Sequence, residues 1–182
     1  MTSLSIRPAT DQDMVAVTDI YGAAVRDHNA SWEWTPPDLA DMRARRDGVL
    51  SRGLPYLVAC RGDLVIGFAY LGPFRLRRAY DWSLENSVYV NPEAQGLGAG
   101  RELMTTLIDW AEANDYRQML AVIGDGAGGA SVPFHRRLGF IEAGTIPHMG
   151  WKAGAWRDLV LMYRSLGPGD TQPPRHRLDA DS

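Results

Sequence analysis

A mixed α/β sheet with helices on its faces is the fold class this sequence predicts, and three observations lead to it. β-rich and helical runs alternate along the 182 residues. Three β-rich runs follow one another in the middle, as an antiparallel meander does. A glycine-dense turn then carries the last of them into a helical pattern followed by another strand, a crossover that normally makes neighbouring strands parallel. One compact domain suffices, since a chain of this length that is 45% hydrophobic fills one substantial core.

The elements follow in order. "LSIRPA" reads as a short strand, and "TDQDMVAVTDIYGAAVRD" as a helix with a Thr or Asp N-cap and apolar residues at Met14, Val17, Ile20, Tyr21 and Ala24. "NASWEWTPP" breaks that pattern. "PDLADMRARRDGVLSRG" restores it, with Pro37 near the first turn and Gly53 as C-cap. "LPYLVACRG", "DLVIGFAYLGPFR" and "YDWSLENSVYV" are the meander, the first pair joined at hairpin length by Arg61, Gly62 and Asp63. After the glycine turn, "RELMTTLIDWAEA" is a helix, "RQMLAVIG" a buried strand and "SVPFHRRLGF" a short helix ended by Gly139. Two last strands flank "GWKAGAW". Residues 1–166 therefore read as the domain, and 167–182, rich in Pro, Gly and charge, as a disordered tail.

Charge and composition exclude several function classes. Nineteen basic against 22 acidic residues give a net charge of -3, without a basic run, which argues against a nucleic-acid surface. No stretch approaches the ~18 continuous apolar residues of a membrane span, and "MTSLSIRPAT" lacks a signal-peptide core, so a cytoplasmic protein is expected. The single cysteine, Cys60, lies among strand residues and fits a reducing compartment. His28, His135, His148 and His176 lack ligand spacing, so no metal is expected.

The turn "VYVNPEAQGLGAG" at 88–100 places Gly96, Gly98 and Gly100 before a helix, a pattern that brings bare N–H groups to an anion. It is not a Walker loop, since no Gly-Lys-Ser or Gly-Lys-Thr is present. Nor is it a dinucleotide fingerprint, because Arg101 stands where the third glycine belongs. Gly124, Gly126 and Gly129 do satisfy that fingerprint after a strand, but the helix beyond is too short and too little chain remains to complete a dinucleotide sheet.

Gln95-Gly96-Leu97-Gly98-Ala99-Gly100, with "FHRRLGF" at 134–140, resembles the acyl-CoA signature of the GCN5-related N-acetyltransferases. "RAYDWSLENSVYV", "AVIGDGAGGAS" and "GWKAGAWRDL" are similar to the branch acting on phosphinothricin and on methionine sulfoximine or sulfone. The resemblance runs from about residue 5 to 165 and implies a mixed, mostly antiparallel sheet of about seven strands flanked by about four helices. It implies acetyl-CoA as co-substrate, a small-molecule amine as acceptor and a homodimer. Under it the pyrophosphate takes N–H groups from about Gly96 to Arg101, and Val88, Tyr89 and Val90 pair with the pantetheine arm as an added strand. The resemblance also implies that residues at 128 and 131 help hold the cofactor arm, Gly128 by backbone alone, with Ser131 and Asp125 as the side chains that would compensate. The family usually has Asn where Gly128 stands, so this chain offers only backbone there.

Acetyl transfer asks for a neutral amine, a polarised thioester carbonyl and a proton for the departing thiolate. Glu85, a carboxylate in an otherwise apolar strand where the family carries a glutamate, is the expected base, directly or through a water; pairing with Arg75 or Arg77 is the structural alternative. His135 occupies the place of the superfamily's thiolate-protonating tyrosine and is expected to donate or relay a proton, or else to be a hydrogen-bonded core residue. "SWEWTPP" resembles the family's acceptor segment, with Trp32 for Phe and Glu33 retained: two indoles around one carboxylate for a small ammonium substrate, or else a staple between helices. Arg75 and Arg77, on one face by alternation, are expected to hold the acceptor's carboxylate or to form a solvated cluster. Two rival functions remain open: a CoA-binding sensor without turnover, and acetylation of protein amines.

Overall fold

In the computed structural model, residues 3–26, 31–124 and 129–174 are described. Seven strands form one sheet: β1 (Leu4–Pro8), β2 (Tyr56–Arg61), β3 (Leu64–Pro73), β4 (Ser83–Val90), β5 (Gln118–Ile123), β6 (Ile141–Lys152) and β7 (Ala155–Ser165). Their order across the sheet is β1-β2-β3-β4-β5-β7-β6. Every neighbouring pair is antiparallel except β4 and β5, the pair joined by the helical crossover. The helices are α1 (Met14–Arg26), α2 (Leu39–Leu50), α3 (Ala99–Ala113) and α4 (Ser131–Arg137).

Strand alternation divides the core between the two faces of this sheet. On one face Met14, Val17, Ile20 and Val25 of α1 and Met42 of α2 cover Tyr56, Val58, Cys60 and Phe68. On the other, Leu103, Met104, Leu107 and Ile108 of α3 cover Leu57, Ile66, Leu71, Leu84, Met119 and Met162. Each such side chain removed from water contributes roughly 1.5–3 kcal/mol, so the two helical layers together fix the plane of β4 between them.

Element boundaries depart from the sequence expectation where local capping decides. The α1 pattern begins with a 3-10 turn at Asp11–Asp13, because Asp13 turns back to accept from the Thr10 N–H at 2.7 Å while Arg7 clasps it at 2.6 and 2.7 Å. α2 starts after Asp38, whose carboxylate caps Asp41 N–H at 2.8 Å, leaving Pro37 outside the helix. α3 starts at Ala99, two residues before Arg101, with Gly98 as a left-handed N-cap at φ 86°. β3 ends at Pro73 and β4 begins at Ser83, so 74–82 is a connection containing a 3-10 turn at Arg78–Tyr80. Alternation therefore does not apply to Arg75 and Arg77. The first hairpin turn is Gly62-Asp63, one residue shorter than expected because Arg61 still pairs in β2, and the second is Ala153-Gly154 with both central residues at positive φ (53° and 73°).

Of the expected tail, 167–174 makes hydrogen-bonded turns: Gly169 N–H donates to Leu166 O (2.9 Å), and Arg117 donates to Pro173 O (3.2 Å). Residues 175–182 lie outside the described residues. No helix among the described residues is long and apolar enough to cross a membrane.

Candidate active site

β4 positions the chemistry, because its neighbour leaves it halfway along. The parallel pairing with β5 covers only Ser83, Leu84 and Glu85, opposite Gln118, Met119 and Leu120; β3 pairs with β4 all the way to Val90. From Asn86 onward one edge of β4 is therefore without a strand partner, and its main-chain groups face a gap. Such an edge accepts an extended ligand as an added strand.

Where β4 ends, the chain makes the glycine turn. Gly96 (φ 79°) and Gly98 (φ 86°) are exposed, and a Cβ built on either meets nothing within 4 Å, so their backbone is open to approach. Gly98 caps α3 without a side chain, which leaves first-turn N–H groups and the positive end of the helix dipole for an incoming anion. Gly100 is closely packed instead: a Cβ there would stand 3.4 Å from Val90 and 3.5 Å from Phe134. Ala99 is buried, so only its main chain faces the turn, while Gln95, Leu97 and Arg101 are exposed. These features fit the diphosphate and pantetheine arm of coenzyme A. Ser131 opens α4 near the same gap; Gly128 lies outside the described residues.

The two candidate catalytic side chains stand on opposite faces of β4. Glu85 alternates with Ser87 and Tyr89 and points to the α1/α2 side, half-buried; burial pushes its carboxyl above the ordinary value, and the Arg75 guanidinium opposes that shift. His135 is 3% exposed on the α3/α4 side. Its Nε2 is 3.0 Å from Asn86 Oδ1 and its Nδ1 2.9 Å from Ser131 O, while Phe134 and Phe140 meet the ring edge-on. Burial lowers its pKa; the Ser131 carbonyl opposes this. Both ring nitrogens thus face protein oxygens before any substrate arrives.

On the Glu85 face, Tyr21, Phe68, Tyr70 and Tyr89 form an aromatic wall, with the rings of Tyr21 and Tyr89 edge to face at 4.9 Å. The acceptor segment closes over it differently from the expected pair of indoles. Trp34 stands 70% exposed. Trp32 lies flat on two glycines: a Cβ would come within 2.7 Å of the indole at Gly124 and 2.1 Å at Gly150. Glu33 is already partnered, by Arg45 of α2 at 2.5 and 3.3 Å and by the Tyr21 hydroxyl at 2.9 Å, and its carboxyl is held below the usual range by those bonds against the effect of burial. Lys152 of β6, itself buried, donates to Ser31 O and pins the segment from the far side. Arg75 and Arg77 are exposed, Arg75 stacking over Phe74 at 5.1 Å. A cleft of about 390 Å³ bordered by Arg45, Arg52, Tyr70 and Pro73 opens between α2 and β3.

Sequence reasoning missed Arg45, Lys152, Tyr21 and Asn86. Their partners lie 12, 121, 12 and 49 residues away, and nothing local marks such pairings. Among the described residues no three His, Cys, Asp or Glu side chains come together as metal ligands.

A strand edge left open beyond a half-buried carboxylate, beside a glycine-opened helix start, fits an acyl-transfer enzyme. Residues 17–140 match the model of the acetyltransferase (GNAT) family, and the chain belongs to that family. It is 46% identical over 170 residues to a phosphinothricin N-acetyltransferase of Alcaligenes faecalis, covering 93% of this chain and 86% of the relative. It is 39% identical to an L-methionine sulfoximine/L-methionine sulfone acetyltransferase of Pseudomonas aeruginosa, over 94% of this chain and 99% of the relative. Among solved structures, a phosphinothricin acetyltransferase of Sinorhizobium meliloti in complex with acetyl-CoA superposes with a TM-score of 0.92 at 39% identity, over 100% of this chain and 98% of that one.

Proposed function

We propose that this chain transfers the acetyl group of acetyl-CoA to the α-amine of a small amino acid or analogue, of the phosphinothricin, methionine sulfoximine or methionine sulfone type. The observation that carries the reading is the parting of β4 from β5 directly beyond Glu85. It leaves a binding edge for the pantetheine arm and a carboxylate at the end of that edge, on the side where the aromatic wall and Glu33 lie. The names and coverage of the similar acetyltransferases support the acceptor class.

In this reading the diphosphate rests on the N–H groups from Gly96 to Arg101, and the open edge of Val88, Tyr89 and Val90 aligns the arm. A main-chain N–H near Ser87 polarises the thioester carbonyl. Glu85 takes the proton from the ammonium, directly or through a water, so that the amine attacks as a neutral nucleophile. Its raised pKa makes it a stronger base than an ordinary carboxylate. The Arg75 guanidinium, near enough to act on the charge of Glu85, receives the acceptor's carboxylate. Trp32 and Glu33 form the far wall, Glu33 as part of a neutralised ion pair rather than as a free carboxylate. For His135 to protonate the thiolate, the ring must first hold a proton on both nitrogens, against the effect of its burial, and Nε2–H must leave Asn86.

A homodimer belongs to the same reading, supported by exposed Ile146, Met149, Trp151 and Trp156 along the β6–β7 hairpin. A cytoplasmic location is supported by the free, buried thiol of Cys60.

The test is thiol release from acetyl-CoA across a panel of phosphinothricin, methionine sulfone, methionine sulfoximine, free amino acids and short peptides. Release with the free amino-acid analogues is expected. Coenzyme A binding without release across the panel would favour a sensor, and preferential release with peptides would favour protein amines.

A further inference from the structure

The gap between β4 and β5 is a built feature, spanned at its apex by two side chains. Asn86, 6% exposed, is the first β4 residue beyond the parallel pairing, and its Nδ2 donates to the main-chain carbonyl of Leu120 on β5 at 2.7 Å. That donation settles the amide's orientation: Nδ2 faces β5, and Oδ1 faces His135 Nε2 at 3.0 Å. Asn86 Oδ1 can only accept, so Nε2 must carry a proton. With the proton on Nε2, Nδ1 of the neutral ring is an acceptor: the Ser131 hydroxyl, 3.5 Å away, can donate to it, whereas the Ser131 carbonyl at 2.9 Å is bonded only by a ring protonated on both nitrogens. Three elements, α4, β4 and β5, are thus tied together where the strands separate.

From this juxtaposition we propose that Asn86 and His135 are positioning residues for the coenzyme: a brace that holds β4 and β5 apart at Asn86, so that the pantetheine arm finds the edge of Val88–Val90 already free. A strand ladder left to itself continues, because each unpaired buried N–H or C=O seeks a partner. The Asn86 side chain takes up Leu120 O at the point where pairing stops, and His135 prevents the amide from rotating away. His135 in this role acts through Asn86 and not on the thiolate.

The inference rests on the coenzyme reading of the gap and not on the identity of the acceptor. Its test is therefore the affinity for coenzyme A alone, measured by calorimetry on the full chain, together with separate KM values for acetyl-CoA and for the best acceptor of the panel. Asn86→Asp keeps an acceptor for Nε2–H but loses the donor to Leu120 O. Coenzyme A binding weakened about fivefold or more is expected, the loss of one buried hydrogen bond, with the acceptor KM within about twofold of wild type. His135→Phe removes the support of Asn86 and should weaken coenzyme A in the same sense; His135→Gln, which restores an N–H donor, should recover part of it. In wild type, long-range ¹H–¹⁵N NMR of His135 should show the proton on Nε2. A folded Asn86→Asp with wild-type coenzyme A affinity, equal losses for both substrates, or a His135 ring without a proton on Nε2 would each overturn the brace. If Asn86→Asp does not fold, the His135→Phe and His135→Gln pair decides by the same measure. Failure of wild type to bind coenzyme A at all would instead refute the coenzyme reading.

Discussion

Glu85 is a carboxylate placed where its charged form is poorly solvated, and among the described residues Arg75 is the cation that opposes this. The sign of the pH dependence follows. In the proposed role the ionised form is the base, so kcat/KM is expected to fall as the pH drops through the carboxyl's raised pKa, with the acidic limb of the profile above the ordinary glutamate value of ~4.3. Glu85→Gln is expected to lower kcat by about 10²–10⁴ and to abolish that limb, with coenzyme A affinity nearly unchanged; wild-type turnover in this variant would remove Glu85 from the chemistry. Glu85 was legible in the sequence because a charge in an apolar strand is conspicuous. The partners that set its surroundings were not: Glu33 could be seen as a carboxylate, but not that Arg45 and Tyr21 had already taken it.

At the scale of elements, the glycine turn into α3 was readable because only residues without a Cβ leave main chain so open, whatever the rest of the fold does. The stretch 74–82 was not. Its apolar and basic residues continue a strand pattern, and only the pairing of β3 with β4 shows that both strands stop short of it. The segment around Trp32 is likewise fixed by long-range packing, Trp32 lying against Gly124, just past β5, and Gly150 of β6. Gly150→Ala puts a methyl 2.1 Å from that ring and forces it off its seat. A stability loss of about 1–3 kcal/mol in urea unfolding and a raised acceptor KM are expected, with the acetyl-CoA KM little changed. If both KM values stay at wild type, Trp32 is not a wall of the acceptor site.

For the whole molecule, element order and one crossover were enough to place all seven strands in a mixed sheet, since short right-handed connections leave few arrangements. What element order could not convey is that β6 lies at the sheet edge with nearly all of its residues exposed. An edge carrying Ile146, Met149 and Trp151, with Trp156 beside it on β7, is a surface that water disfavours. Light scattering coupled to size exclusion is expected to give twice the 20.1 kDa chain mass, and Trp151→Lys together with Trp156→Lys to shift the population toward the single chain. A monomer at every concentration would exclude the homodimer.

Because β4 turns Glu85, Ser87 and Tyr89 to one side and Asn86, Val88 and Val90 to the other, the proposed roles divide thioester handling from amine choice, on one backbone but with few side chains in common. Substitutions around Tyr21, Trp32 or Arg45 can therefore drift and try out new nucleophiles while the acyl donor stays the same. Descendants of such a chain inherit a dependable source of activated acetate together with an easily rewritten taste for what receives it.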